Sequence, residues 1–139
     1  MSMIRIMTLN DYEAVRSLWN NTDGVGQNAI DDSKDGIAKY LARNPSTCFV
    51  AEKNGAIIGA VLSGHDGRRG TICRLAVAVN EKRQGIGTAL VEAALAALRN
   101  EGIHKVWLVV FAHNTEAACF WEKHGFTKRG DLHYHDKVL

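Results

Sequence analysis

A short glycine-containing loop carries the clearest chemical pattern in the sequence. It reads KRQGIG, residues 82–87, and leads into an apolar periodic segment with the spacing of a helix. Glycine has no β-carbon, so a ligand can approach the backbone closely, and the unpaired N–H groups and dipole of a helix start favour an anion. Phosphate is the natural ligand for such a loop. The alternative is that the two glycines only permit a tight turn between a strand and a helix.

The common nucleotide motifs do not account for this loop. A dinucleotide fingerprint needs a third glycine three residues after Gly87, where the sequence has Leu90. A P-loop needs a glycine, four intervening residues, and then Gly-Lys followed directly by Ser or Thr. The chain has no such run. Sites for NAD, ATP and GTP are therefore disfavoured, and a general nucleotide-binding domain is kept only as a rival hypothesis.

The segments around the loop predict an α/β fold. Apolar, β-branched runs predict strands over residues 4–8, 47–53, 56–65, 70–79, 105–111 and about 125–138. Helical periodicity predicts helices from Thr8, over about 33–42, after the loop, and over 114 to about 124. In the first helix, Thr8 and Asp11 form a candidate cap, and the predicted buried side chains are Tyr12, Val15, Leu18 and Trp19.

The connections predict how the strands pair. The Asn-Gly pair at 54–55 predicts a two-residue hairpin, and the turn at 65–70 predicts a second antiparallel pair. The helix after the loop then connects residues 70–79 to 105–111, which makes that pair parallel. Residues 1–139 are predicted to form one domain with a mixed, mostly antiparallel sheet flanked by helices.

Composition and charge exclude several function classes. The formal charge of +2 is spread along the chain, which disfavours a nucleic-acid partner. No stretch approaches the roughly 18 apolar residues of a membrane span, and the first residues lack a signal peptide, so we expect a cytoplasmic protein without a membrane partner. Cys48, Cys73 and Cys119 lack metal-ligand spacing, so we expect reduced, small buried side chains and no metal cofactor.

Two motifs resemble the GNAT N-acetyltransferase superfamily. Residues 82–87, preceded by the strand 75–79, resemble its acyl-CoA pyrophosphate motif, Gln/Arg-x-x-Gly-x-Gly/Ala, with Lys82 in the first place. Residues 114–126, NTEAACFWEKHGF, are similar to the family's later segment from an asparagine to a Gly-Phe pair. The motifs and the element order match over essentially the whole chain, and the hairpin GHDGRRG looks like that of a small bacterial subgroup. The resemblance implies the GNAT fold.

The resemblance implies acetyl-CoA as the cosubstrate. The pantetheine arm would pair with the edge of one strand, which is free because this strand and the next splay apart in the family. Asn114 would hydrogen-bond the cofactor, and it could also cap its own helix. The residues implied for the edge are Leu75, Ala76 and Val77, and the backbone N–H groups implied for the pyrophosphate are those of Arg83, Gln84, Gly85, Ile86, Gly87 and Thr88.

The implied reaction is direct transfer of the acetyl group to a primary amine, with the Val77 N–H as the oxyanion donor. The family's acid and base positions are altered. The tyrosine that protonates the thiolate in many members is replaced by Trp121, and the glutamate base of the branch that acetylates protein N-termini by Val109. That branch is therefore disfavoured, and the acceptor is predicted to be a small molecule or a side-chain amine.

Other residues are candidates for the acid and base roles that Trp121 and Val109 cannot fill. Tyr134 lies between His133 and His135 in a predicted closing strand, where it is either a catalytic candidate or a structural residue of a solvated edge strand. The two histidines lack a third metal ligand nearby. Asp66 is interpreted as a turn residue rather than an acceptor-binding carboxylate. An acidic loop holding Asp23, Asp31 and Asp32 could attract a cationic amine, or be simply exposed.

The sequence therefore predicts an acetyl-CoA-dependent N-acetyltransferase with an unidentified amine acceptor. A CoA-binding sensor or partner module with little catalysis is the alternative, because the usual acid and base positions are changed. The family resemblance also suggests a homodimer.

Overall fold

A computed structural model describes residues 2–22 and 28–139. The chain divides into two units, Met1–Val109 and Val110–Leu139. Asp23, one of the predicted acceptor-loop acids, lies outside the described residues. No helix in the described ranges is long and apolar enough to cross a membrane.

The first unit contains a five-stranded mixed sheet, as predicted. The strands pair in chain order, the first four antiparallel and the last parallel to its neighbour. Asn54 and Gly55 both have positive φ, 52° and 80°, so the Asn-Gly pair forms the predicted hairpin turn. The strands are β1 (Met3–Ile6), β2 (Phe49–Lys53), β3 (Ala56–His65), β4 (Gly70–Val77) and β5 (Val106–Trp107).

Among residues 2–22 and 28–109, three α-helices cover the sheet. They are α1 (Tyr12–Asn20), α2 (Lys34–Arg43) and α3 (Ile86–Asn100). A β-carbon added at Gly59 of β3 would lie 3.0 Å from Leu90 of α3, whereas one at Gly64 would lie 2.5 Å from Asn44 at the end of α2. Because residues 59 and 64 face opposite sides of a strand, α3 packs on one face and α2 on the other.

The buried faces of the helices follow the predicted periodicity. In α1 the buried side chains are Tyr12, Val15, Leu18 and Trp19, and in α3 they include Leu90, Val91, Ala94 and Leu98. The α1 set belongs to one core cluster with residues of α2 and the sheet, among them Ile37, Val50 and Ala76. Burial of these apolar stripes is what holds the helices on the sheet.

The last predicted strands differ from the structure. β5 extends only over Val106–Trp107, and residues 125–139 contain no strand. A strand is stable only when its backbone groups find a partner ladder. The 125–139 segment is mostly exposed, and its polar side chains pair locally, with Arg129 Nε donating to Asp131 at 2.9 Å. The predicted alternation of His133, Tyr134 and His135 across a strand is therefore wrong.

The second unit contains α4 (Thr115–Lys123), which ends at the Gly-Phe pair. Gly125 has φ 88°, its N–H donates to the Glu122 carbonyl at 3.1 Å, and the Phe126 N–H donates to the Trp121 carbonyl at 3.0 Å. The Trp121 and Phe126 rings meet edge to face at 5.2 Å. These bonds form a Schellman cap, so the Gly-Phe pair has a structural role at the end of this helix.

The cysteine prediction is correct at only one position. Cys48 is buried, and burial raises the pKa of its thiol to about 12. Cys73 and Cys119 are exposed. Cys73 lies where the pairing register of β4 shifts, and Cys119 lies on the exposed side of α4, positions that apolar periodicity does not identify.

Asp11 should make folding sensitive to acid. Its carboxylate accepts from both Nη atoms of Arg5 and from the Thr8 N–H, which confirms the predicted pairing of Thr8 with Asp11. These bonds, led by the one from Arg5, lower the pKa of Asp11. Because the pKa of Asp11 is lower in the folded protein than in the unfolded chain, its ionised carboxylate adds stability at pH values above the unfolded pKa of about 3.9. This stability is lost as pH falls through the lower pKa of the folded state.

We expect Asp11→Asn to lower the free energy of unfolding by about 1–3 kcal/mol at pH 7. The difference from the wild type should shrink as pH falls from about 5 towards 2, since protonation then removes the same interaction. Urea unfolding at a series of pH values measures it, with Glu92→Gln on the exposed face of α3 as the control. If the difference stayed constant over this pH range, the ionised carboxylate of Asp11 would not be the source of the stability.

Candidate functional site

The glycine loop connects β4 to α3 and is exposed. Lys82 through Gly85 are solvent-exposed, whereas Ile86 is buried and anchors the first turn of α3 against the sheet. Arg83 and Gly85 have positive φ, 65° and 80°. The chain therefore turns sharply at both positions, and at Gly85 the absence of a β-carbon removes the steric cost.

The loop presents the N-terminus of a long helix to solvent. Gly85 is the N-cap of α3, and the first helical bond is donated by Ala89 to the Gly85 carbonyl at 3.0 Å. The N–H groups of the first turn have no acceptor inside the helix, and the helix dipole adds positive potential there. Lys82 and Arg83 add two formal positive charges. This arrangement suits a phosphate group.

The loop is fixed to the sheet from the side of β2. Residues Val79–Glu81 form a 3₁₀ turn between β4 and the loop. Within it, Glu81 accepts from Lys53 Nζ at 3.0 Å, and Lys53 is the last residue of β2. The Ala78 N–H donates to the Ile58 carbonyl of β3 at 2.8 Å. The segment between β4 and the loop is therefore held by contacts with β2 and β3.

The far part of β4 has an edge that β5 does not cover. Parallel pairing of β4 with β5 is limited to Gly70–Val106 and Thr71–Trp107, although β4 continues to Val77. The Ala78 N–H points towards β3, and alternation along a strand then directs the N–H groups of Leu75 and Val77 towards the uncovered edge. An extended amide-bearing chain could pair there as an additional strand.

A β-bulge at Cys73 separates the two halves of β4. Arg74 pairs with Leu62 and Ile72 pairs with Ser63, so one extra residue lies between them. The bulge reverses the alternation: the Gly70 N–H points towards the β5 side, with Lys105 as its acceptor, whereas the Ala78 N–H points towards β3. The sequence carries no signal for this bulge.

The bulge directs Cys73 and Arg74 to the same face of the sheet. Cys73 Sγ lies 3.3 Å from Tyr40 Oη of α2, and Arg74 reaches Asp32 just before α2. Desolvation is the main cause that raises the pKa of both the Cys73 thiol and the Tyr40 hydroxyl. Both groups therefore stay protonated at neutral pH, and neither is prepared to act as a base.

Arg74 is the centre of a cluster that sequence reasoning did not find. Its Nη2 donates to Asp32 Oδ2 at 2.5 Å, and its guanidinium carbon lies 5.9 Å from the centroid of the Trp19 ring. Asp32 is buried, and its Oδ2 also accepts from the Asn28 N–H at 2.6 Å. The prediction that Asp32 lies in an exposed acidic loop is therefore wrong, because its carboxylate is buried and paired with Arg74.

The remaining predicted residues fall in the second unit or in turns. Asn114 Oδ1 accepts from the Ala117 N–H at 3.0 Å, so it caps α4. Tyr134 is 67 % exposed and lies in no regular element. Asp66 accepts from the N–H groups of Arg68 and Arg69, both at 2.8 Å, which confirms the turn interpretation. Asp31 is exposed.

Val109 and Trp121 stand at the positions where the family resemblance implies a base and an acid. Val109, at the end of the first unit, is 63 % exposed. The Trp121 ring packs edge to face against Phe120 at 5.0 Å within the second unit. Neither side chain can accept or release a proton at neutral pH. Among residues 2–22 and 28–139, no group of three or more His, Cys, Asp or Glu side chains could hold a metal ion.

Comparison with known proteins gives a consistent result. The Acetyltransferase (GNAT) family matches residues 12–126 of the chain. An acetyltransferase of Pectobacterium atrosepticum is 34 % identical over 120 residues, which cover 86 % of this chain and 84 % of that protein. An acetyltransferase of Yersinia pseudotuberculosis is 32 % identical over the same length and share of each chain.

Solved structures have a similar fold. The chain superimposes on a PaiA N-acetyltransferase of Thermoplasma acidophilum in complex with coenzyme A with a TM-score of 0.79, 19 % identity and 94 % coverage of each chain. It is also similar to AAC(6')-Iy in complex with a bisubstrate analogue, with a TM-score of 0.78, 17 % identity and coverage of 100 % and 99 %. At these identities the likeness establishes the fold alone.

Proposed function

Because the chain belongs to the GNAT family of acetyltransferases, we propose that it is a single-domain enzyme that transfers the acetyl group of acetyl-CoA to a primary amine by direct attack. The observation that carries the proposal is the two-part site along β4. The glycine loop and the first turn of α3 lie at residues 83–88, and a strand edge that β5 does not cover lies at Leu75–Val77. Coenzyme A has the matching parts, a pyrophosphate and an extended arm with amides.

The residues fit that cosubstrate in charge and in hydrogen bonding. The loop offers backbone N–H groups at the N-cap of α3, with Lys82 and Arg83 exposed beside them. The edge of β4 offers the N–H groups of Leu75 and Val77. The complex of the Thermoplasma acidophilum neighbour with coenzyme A supports this choice of ligand. Asn114 is proposed to contact the cofactor as well as cap α4.

The chemistry then depends on a few groups of this chain. Acetyl-CoA supplies an acetyl group activated as a thioester. The backbone N–H of Val77 is proposed to donate to the carbonyl oxygen as negative charge develops on it, an interaction that strengthens in the transition state. A thiol with a pKa near 8.5 leaves as a thiolate without an acid, so the tryptophan at position 121 is compatible with turnover.

A base must accept the proton that the attacking amine loses. A lysine-type amine has a pKa of about 10.4, so only a small fraction is neutral at pH 7. Tyr134 stays a candidate acid or base, and it is proposed only as such because it lies outside any strand. We expect the rate to rise with pH between about 7 and 9, as the neutral fraction of the amine increases.

Two measurements on the purified protein test the proposal. Saturating CoA should stabilise it against heat, by about 2.7 kcal/mol at 100 times Kd, and more than ATP or NAD does at the same concentration. Acetyl-CoA with a panel of primary amines should then release free thiol steadily. Better protection by ATP or NAD would favour the general nucleotide-binding domain. Binding of CoA without turnover of any amine would favour the CoA-binding sensor.

A further inference from the structure

Two buried donors in the cluster around Arg74 have no hydrogen-bond partner among the described residues. Trp19 is only 1 % exposed, yet its Nε1 has no partner among the described residues, and the same is true of the buried Nε of Arg74. The two side chains lie against each other, with the guanidinium carbon 5.9 Å from the ring centroid. A buried donor without a partner costs about 1–3 kcal/mol, so an oxygen acceptor next to either donor would be stabilising.

The charges near Arg74 also favour an anionic ligand. Asp32 is the carboxylate that Arg74 contacts, and its Oδ2 is already shared with the Asn28 N–H. A second cation lies close by, since Arg16 Nη1 donates to Tyr12 Oη at 3.0 Å and that hydroxyl donates to the Asp32 carbonyl. Arg16 therefore adds a second positive charge near the pair formed by Arg74 and Asp32.

Arg74 can bind another group without giving up Asp32. A guanidinium has five N–H donors in a planar fork, of which one holds Asp32. Nη1 has only a 3.4 Å contact with the carbonyl of the preceding residue, Cys73. The side chain is 21 % exposed, so its free end is accessible to a ligand. An oxyanion is the partner that matches this fork best.

The position of Arg74 links it to the acceptor. It directly precedes Leu75, the first residue of the proposed CoA-binding edge, and its side chain lies on the face covered by α1 and α2. We propose that the acceptor carries an anionic group, a carboxylate or phosphate, close to its primary amine, and that Arg74 is the specificity-determining residue that binds this group. The proposal rests on the proposed acetyltransferase function.

Matched amines test this directly. Thiol release from acetyl-CoA is compared for glycine and glycinamide, β-alanine and β-alaninamide, γ-aminobutyrate and its amide, and phosphoethanolamine and ethanolamine. We expect the anionic member of at least one pair to have a kcat/KM about tenfold or more above its neutral partner. Which pair responds distinguishes a carboxylate from a phosphate. Equal rates within every pair that is turned over would overturn the proposal and leave the acetyltransferase function intact.

Substitutions at Arg74 test whether this residue causes the preference for anionic over neutral amines. Arg74→Lys keeps a charge opposite Asp32 and is expected to fold, but without the planar fork it should lose most of the preference. The double change Arg74→Gln with Asp32→Asn removes both charges, so no buried carboxylate is left unpaired, and should abolish the preference. Arg99→Gln, at the exposed end of α3, is the control and should keep it. A preference that survives in both Arg74 variants would contradict the assignment.

A binding measurement covers the case in which no amine of the panel is acetylated. Thermal unfolding in saturating CoA is followed with N-acetylglycine and N-acetylglycinamide, and with the corresponding longer pairs and N-acetylated phosphoethanolamine. Greater stabilisation by the anionic compounds, lost in Arg74→Lys, would support the proposal even though the proposed activity had failed. Equal shifts with anionic and neutral compounds would overturn it.

Discussion

Replacing Gly85 with glutamate is expected to weaken CoA binding about 100-fold or more, equivalent to about 2.7 kcal/mol. Gly85 is the N-cap of α3 with φ 80°, so a side chain adds about 1–2 kcal/mol of backbone strain at the position proposed to hold the pyrophosphate. The new carboxylate also brings a negative charge to the proposed anion site, where it would repel the phosphates and compete with them for the positive end of the helix dipole. Calorimetric titration with CoA measures the change.

Gly55→Glu is a closely matched control. Gly55 also has φ 80°, and at both glycines an added β-carbon meets no atom within 4 Å. The two variants should therefore lose similar amounts of stability through strain, while only Gly85→Glu loses affinity for CoA. Equal affinities in the two variants would mean that the loop before α3 does not bind the pyrophosphate.

The parts of the fold that were predicted correctly depend on local information. The Asn-Gly turn at 54–55 needs two residues of positive φ, and this sequence pair adopts them readily. The apolar spacing of α1 and α3 defines one face in each helix, and the structure buries those faces. The glycine turn before α3 is local too, because the Gly85 N-cap and the helix behind it are adjacent in sequence.

The parts that were predicted wrongly depend on partners distant in sequence. The apolar run at 105–111 has strand composition, yet only Val106–Trp107 pairs with β4. The segment 125–138 has some strand character but forms no ladder. Composition measures the preference of a residue for an extended chain, whereas a strand exists only when its N–H and C=O groups meet a neighbour.

The cluster around Arg74 was missed for the same reason. Arg74 and Asp32 are 42 residues apart, and nothing in their spacing indicates that they form an ion pair. The bulge at Cys73 brings Arg74 to that face, and a bulge is a property of the pairing register. A hydrogen-bond inventory of the folded chain is what identifies this cluster, because its unpaired donors are invisible in the sequence.

Trp19→Ala is expected to lower the free energy of unfolding by about 3 kcal/mol. Removing a buried tryptophan usually costs about 3–5 kcal/mol, and Trp19 is among the largest fully buried side chains of this chain. The unpaired Nε1 should place the loss at the lower end, because the substitution also removes a buried donor without a partner. Urea unfolding followed by circular dichroism measures the loss.

Trp19→Phe separates packing from the unpaired donor. Phenylalanine keeps most of the aromatic volume against α2 and the sheet but has no N–H, so the loss of contacts and the relief of the unpaired donor should nearly cancel, within about 1 kcal/mol of the wild type. Trp107→Ala on the half-exposed β5 is the control for a tryptophan with less burial and should cost less than Trp19→Ala. If Trp19→Phe were as destabilising as Trp19→Ala, the indole N–H would be satisfied in the folded protein. The indole N–H would then give no support to an oxyanion ligand beside Arg74.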